Sequence, residues 1–97
     1  MPMVVSMIQF RIELAGIESL KDKRRILSSL KEKLYLRFRL SVAEVDLQDS
    51  LGYAHMGAAV VSNSRSHGET VLHKALAFVE STVPGRLLQT EIYSEFY

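Results

Sequence analysis

Apolar and polar residues alternate along three segments of the chain, a fourth segment is almost wholly apolar or small, and apolar residues recur at helical spacing along two others. From residue 8 to residue 14, apolar side chains at even positions alternate with Gln9, Arg11 and Glu13 at odd ones. A period of two is typical of a strand with one buried face, so we predict a strand over residues 3–14. The same period predicts strands over residues 40–49 and 86–96, the latter with Leu88, Ile92 and Phe96 on one face, and a run of apolar and small residues predicts one over residues 54–62.

The first helix is predicted over residues 20–38. Its apolar positions, spaced so that they share one face of a helix, are Leu20, Leu27, Leu30, Leu34 and Phe38. Ser19 precedes the segment and Asp22 follows three residues later, which indicates a capping arrangement at the start of a helix.

A second helix is predicted between the third and fourth strands. Ser66 and Glu69 have the spacing of a capping box, and Pro84-Gly85 ends the segment. The apolar face of this helix consists of Val71, Leu72, Ala75, Phe78 and Val79.

The order of elements is therefore β-α-β-β-α-β within one domain, residues 1–97. Two split βαβ units with right-handed crossovers predict an α+β, ferredoxin-like βαββαβ sandwich. Its four-stranded antiparallel sheet carries both helices on one face, and its first and third strands are central.

The second strand alternates between apolar and acidic residues. We interpret Ala43 and Val45 as facing the core, and Glu44 and Asp46 as facing solvent. On that interpretation the uncovered sheet face is rich in acids and lacks an aromatic platform, and Arg11 is the expected partner of one acid.

The third strand has apolar or small residues at nearly every position. If Met56, Ala58 and Val60 face the core, then Gly57, Ala59 and Val61 lie on the opposite face, where Met7 joins them. Small residues on a central strand explain this pattern, and so does a second chain that covers the face. The second explanation predicts a homo-oligomer whose interface contains Met7, Gly57, Ala59 and Val61.

Charge is unevenly distributed along the chain. Residues 18–39 carry a net charge of +5 and the remaining residues carry −4, although the whole chain carries only +1. The cations concentrate at the start of the first helix, where the backbone already favours anions; they are Lys21, Lys23, Arg24 and Arg25. This cluster favours a non-enzymatic protein that binds RNA or the ribosome, or else one that recognises an acidic protein. A solvated helix face with extended Lys and Arg stems would show the same pattern.

Other chemistry finds little support in the sequence. The chain has no cysteine, and its three histidines lack metal-ligand spacing. We find neither a nucleophile motif nor a glycine-rich phosphate loop, so we expect no enzyme activity, no metal and no cofactor. The absence of disulfides and of a membrane-spanning apolar run favours the cytoplasm.

Three motifs resemble the YlxP-like family of small bacterial proteins. They are Ser19-Leu20-Lys21-Asp22-Lys23-Arg24-Arg25, Val42-Ala43-Glu44-Val45-Asp46-Leu47-Gln48-Asp49 and Ala59-Val60-Val61-Ser62-Asn63. The resemblance implies a ferredoxin-like fold but no activity, because the family has no known function. Genes of the family often lie beside translation and ribosome-maturation genes. The chain departs from the family at Ser64, where an acid is common, and at Ser50-Leu51, where a tryptophan is common.

Overall fold

A computed structural model describes residues 2–97 of the chain. Its elements are β1 (Val4–Leu14), α1 (Leu20–Phe38), β2 (Ser41–Asp46), β3 (Tyr53–Ser62), α2 (Arg65–Thr82) and β4 (Gly85–Phe96). The strands form one antiparallel sheet in the order β2-β3-β1-β4, so β1 and β3 are central. The predicted βαββαβ ferredoxin-like fold is confirmed.

The core lies between the sheet and the two helices. Ile8, Phe10 and Ile12 of β1 are almost fully buried, because even-numbered side chains of this strand point toward the helices. They pack against residues that recur at helical spacing, which are Leu27, Leu30 and Leu34 of α1 and Leu72, Ala75 and Val79 of α2. The helical periodicity read from the sequence therefore identifies the buried faces of both helices.

The ends of the helices follow capping rules, with one difference from the prediction. Ser19 caps α1, and its Oγ accepts a hydrogen bond from the backbone N–H of Asp22 at 3.1 Å. The cap of α2 is Ser64, whose Oγ accepts from the N–H of His67 at 3.3 Å. The predicted cap Ser66 is wrong, because the helix begins at Arg65.

The orientation predicted for β2 is also wrong. Ala43 pairs with Gly57 on the uncovered face of the sheet, whereas Glu44 pairs with Met56 on the face that packs against the helices. A register shift after Glu44 then brings Asp46 opposite His55. The apolar Val45 is therefore 49% exposed on the uncovered face. The reason is a buried partner for Glu44, described below.

The pairing of β4 with β1 is irregular near the middle of β4. Phe10 pairs with Thr90 and Ile12 pairs with Leu87, so β4 contains one extra residue between them. Strict alternation predicts that Leu88 shares a face with Ile92, but the bulge instead places Leu87 opposite Ile12, against the core. No helix among residues 2–97 combines the length and the apolar character needed to cross a membrane.

Candidate functional site

The start of α1 presents three cations to solvent. Lys21, Arg24 and Arg25 are all exposed. Their spacing of three and four residues places them on one side of the helix, and we call this surface the basic face. None of the three forms a salt bridge with an acid among residues 2–97. The basic face is therefore a positive surface without salt bridges beside a helix N-terminus, where the helix dipole adds to its attraction for anions.

Lys23 does not belong to the basic face, contrary to its prediction as an anion-binding residue. It is 1% exposed, and it lies on the buried side of α1 with Leu27, Leu30 and Leu34. Its Nζ lies 2.9 Å from Oε2 of Glu44 and donates a hydrogen bond of 2.7 Å to the backbone oxygen of Leu47. Both partners lie in or just after β2, so Lys23 joins α1 to the end of that strand.

The burial of Lys23 has a signal in the sequence. Residues 23, 27, 30 and 34 follow the same helical spacing as the apolar stripe, so position 23 falls on the core side of α1. A buried cation needs an anionic or carbonyl partner. Glu44 meets that need, which is why an acid of β2 faces the helices while its apolar neighbours face outward.

The cations at the other end of α1 contact aromatic rings. The guanidinium of Arg37 lies 4.6 Å from the centre of the Phe78 ring, and that of Arg39 lies 5.5 Å from the centre of the Tyr35 ring. Both distances are within the range of cation–π attraction. These arginines are therefore partly engaged within the fold, unlike those of the basic face.

The sheet surface opposite the helices, which we call the open face, is largely apolar at its centre. One row across the four strands reads Ser41, Ala59, Met7 and Tyr93, and the next row begins with Ala43 and Gly57. Val61 lies on the same face and is 65% exposed. The structure thus brings together the predicted interface residues Met7, Gly57, Ala59 and Val61, while their role as an interface stays a prediction.

The open face is concave where its residues are small. A shallow depression of about 470 Å³ lies along β1, β2 and β3. Its outward-facing lining consists of Met7, Gln9, Ser41, Ala43, Val45, Gly57, Ala59 and Tyr93. The small residues of β2 and β3 form the floor, and Met7 and Tyr93 rise on one side.

One end of the open face is polar. Glu13 lies 3.1 Å from the guanidinium of Arg86 and accepts a 3.3 Å hydrogen bond from the Tyr53 hydroxyl. The Nε2 atom of His55 lies 3.0 Å from Oε1 of Gln9. Arg11 lies beside His55, but it forms no salt bridge with an acid among the described residues, contrary to the prediction.

The open face also carries two exposed tyrosines. Tyr53 and Tyr93 are 42% and 47% exposed. Tyr53 lies opposite Glu13 and Tyr93 lies opposite Met7, so the rows of Gln9 and Arg11 lie between them. They do not form a continuous stacking platform for successive bases.

The part of the chain that the structure describes contains no cluster of metal-binding side chains. Within residues 2–97, no three or more histidines and acids lie close enough together to hold an ion.

Comparison with known proteins identifies the family. The family described as "Protein of unknown function (DUF503)" matches residues 5–92, which is most of the chain. The chain belongs to this family. An uncharacterized protein YlxP of Bacillus subtilis (strain 168) is 36% identical over 63 residues, which cover 65% of this chain and 68% of that protein. The resemblance to YlxP-like proteins is confirmed, and it brings no assigned activity.

A similar fold occurs in a designed protein. The de novo designed protein Foldit4 matches with a TM-score of 0.51 at 13% identity, covering 98% of this chain and 96% of its own. The designed protein Ferredog-Diesel matches with a TM-score of 0.47 at 16% identity, covering 94% of this chain and 83% of its own. The similarity to Foldit4 concerns the fold alone.

Proposed function

We propose that the protein is a non-enzymatic RNA-binding protein that contacts the phosphate backbone, alone or within the ribosome, through the basic face. The observation that supports this proposal is the set of three exposed cations, Lys21, Arg24 and Arg25, without acidic partners at the start of α1. RNA is a cytoplasmic ligand of high negative charge, so we place the proposed activity in the cytoplasm.

Phosphate suits the chemistry of these side chains. The two guanidinium groups can each donate paired hydrogen bonds to phosphate oxygens, and Lys21 adds a point charge. The three residues occupy the first two turns of α1 and span about 6 Å along its axis, so they can act on one short stretch of backbone. Contacts of this kind position a protein on nucleic acid without reading its sequence.

The rest of the surface supports a helix-based contact. Asp46 and Glu91 lie on the open face without a salt bridge among the described residues, and negative side chains repel phosphate. The two tyrosines of that face are too far apart to stack neighbouring bases. RNA therefore has one favourable approach among these surfaces, toward α1.

A charge-reversal experiment tests the proposal. We compare the variant Arg24→Glu with Arg25→Glu against a control variant, Arg39→Glu with Lys74→Glu, by measuring affinity for ribosomal RNA. The control changes the net charge by the same amount at exposed positions away from the basic face, at the opposite end of α1 and on α2. We expect at least a tenfold loss of affinity in the first variant and a much smaller loss in the control. Equal losses in the two variants would show that only net charge matters, and would overturn the assigned site.

Binding to an acidic protein is the competing outcome. Pull-downs from native lysate, with and without nuclease, separate the two possibilities. The RNA proposal predicts that ribonuclease removes every partner that depends on Arg24 and Arg25. Partners that survive the nuclease and disappear in the charge-reversed variant would favour the protein-binding module instead.

A further inference from the structure

The open face has a step in height across its strands. In the central row, Ser41 of β2 and Ala59 of β3 are small, whereas Met7 of β1 and Tyr93 of β4 are large. The next row repeats the pattern, with Ala43 and Gly57 followed by Gln9 and Glu91. The half over β1 and β4 is therefore high. The half over β2 and β3 is low apart from Val45, whose side chain lies against Gly57.

A stepped surface can be complementary to itself. Rotation by 180° about an axis that runs along the strands, between β1 and β3, exchanges the low and high halves. The second copy then places its β1 over β3 of the first copy, and its β4 over β2. An isologous contact needs this kind of self-complementarity, because each copy uses the same surface.

We propose that the occupant of the open face is a second copy of this chain, related by a two-fold axis parallel to β1 and β3. Met7 of each copy packs over Ala59 of the other, and Tyr93 packs over Ser41. In the neighbouring row toward the start of β1, Val5 packs over Val61, which is otherwise 65% exposed. The depression of about 470 Å³ along β1, β2 and β3 is filled by side chains of the second copy.

The charged residues at the polar end of the open face are also compatible with this two-fold rotation. Arg11 of one copy lies over His55 of the other, within reach of Asp46, which pairs with His55 in the sheet. Arg11 and Asp46 form no salt bridge within one chain, so each is available to the second copy. Two identical Arg11–Asp46 contacts would form, one on each side of the axis. Glu91 lies over Ala43 and meets no acid in this arrangement.

The face is large enough for a stable dimer. The two central strands can overlap over about ten residues, but β2 has six residues and limits the overlap of the outer strands. With strands about 4.8 Å apart and a rise of about 3.3 Å per residue, the shared area is roughly 500 Å² per copy, or about 1,000 Å² in total. This area reaches the roughly 1,000 Å² expected of a specific interface. Sheets packed face to face keep their strand directions within about 30° of each other, which the proposed axis allows.

Analytical ultracentrifugation tests the proposal by measuring the oligomeric state of the protein. We expect wild-type protein to sediment as a dimer at micromolar concentration. Ala59→Arg should raise the dissociation constant of the dimer more than tenfold, because the new charge would be buried opposite Met7 without a partner. Ala77→Arg is the matched control, because Ala77 is exposed on α2, on the opposite side of the domain. Thermal unfolding followed by circular dichroism checks that both variants fold.

A size exchange tests the orientation of the axis. Ala59→Met places two methionines against each other, and Met7→Ala leaves a gap, so each single variant should weaken the dimer. The double variant restores a large residue over a small one and should regain most of the wild-type affinity.

Several outcomes would overturn the inference. They are a monomeric wild type at micromolar concentration, an Ala59→Arg variant that stays dimeric, and a double variant no better than its singles. RNA binding plays no part in these measurements, so their failure is distinguishable from failure of the proposed function.

Discussion

The ammonium of Lys23 lies between Oε2 of Glu44 and the backbone oxygen of Leu47, at 2.9 Å and 2.7 Å. It thereby joins the first turns of α1 to the end of β2. Leu47 has a φ of 64°, a left-handed conformation that costs energy for a residue with a branched side chain. The hydrogen bond from Lys23 holds this residue in place, so the contact fixes the start of the β2–β3 connection.

Glu44→Ala should destabilise the protein more than Lys23→Met. The first change leaves a nearly fully buried ammonium without its carboxylate, whereas the second leaves Glu44 with access to water through its 17% exposed side chain. We expect a loss of about 3 kcal/mol for Glu44→Ala and about 1–2 kcal/mol for Lys23→Met. Urea unfolding of the two variants measures the difference.

The variant Lys23→Met also tests whether Lys23 stabilises the fold without contacting RNA. Because Lys23 is buried, the folded variant should keep its affinity for RNA, while Arg24→Glu with Arg25→Glu loses it. A tenfold loss of RNA affinity in folded Lys23→Met would contradict its purely structural role.

Gly68 allows α2 to lie close to β1. A Cβ at position 68 would overlap Oγ and Cβ of Ser6, which is fully buried and hydrogen-bonded to Ser94. Gly68→Ala should therefore lower the unfolding free energy by about 1–3 kcal/mol through overpacking, despite the better helix propensity of alanine. Gly52→Ala is the control, since nothing lies within 4 Å of its added Cβ. Equal thermal unfolding midpoints for the two variants would show that the helix can shift without cost.

Stability should fall in acid partly through Glu69. A hydrogen bond from the Ser94 hydroxyl, followed by one from Arg65, lowers the pKa of Glu69 below its ordinary value of 4.5. The folded state therefore binds this proton less readily than the unfolded chain does. The contribution of ionised Glu69 to the free energy of unfolding is present above about pH 4.5. It is lost as the pH falls through the lower pKa that Glu69 has in the folded state.

Glu69→Gln provides the comparison for this pH dependence. Unfolding free energies of the variant and the wild type, measured in urea between neutral pH and pH of about 3, should converge as the pH falls. A difference that stays constant over that range would show that Glu69 titrates equally in both states.

The elements and their order follow from the sequence, because each carries a strong local period. Leu27, Leu30 and Leu34 specify the buried face of α1, and Ile8, Phe10 and Ile12 specify that of β1. The predicted bounds of α1 match those of the structure.

The orientation of β2 could not be read in the same way. Alternation shows that Glu44 and Val45 point to opposite faces, but it does not show which face is the core. Hydrophobicity alone assigns Val45 to the core, and this assignment is wrong because Lys23 offers Glu44 a buried partner. That contact joins residues 21 positions apart, so local patterns do not contain it.

The candidate site was partly visible in the sequence. Lys21, Arg24 and Arg25 are exposed on one side of α1, as their spacing indicates. The charge of Lys23 suggests an exposed residue, but its position on the helix places it on the buried side. The step in the open face depends on the register between strands, which brings Ser41, Ala59, Met7 and Tyr93 into one row. No single segment of sequence shows that row.

The salt dependence of RNA affinity tests the central claim most directly. Each phosphate contact contributes about −0.7 to the slope of log affinity against log salt for single-stranded nucleic acid. Three contacts from Lys21, Arg24 and Arg25 predict a slope of about −2, and the variant Arg24→Gln with Arg25→Gln should reduce it to about −0.7. A slope that is the same in the wild type and the double variant would contradict binding through the basic face.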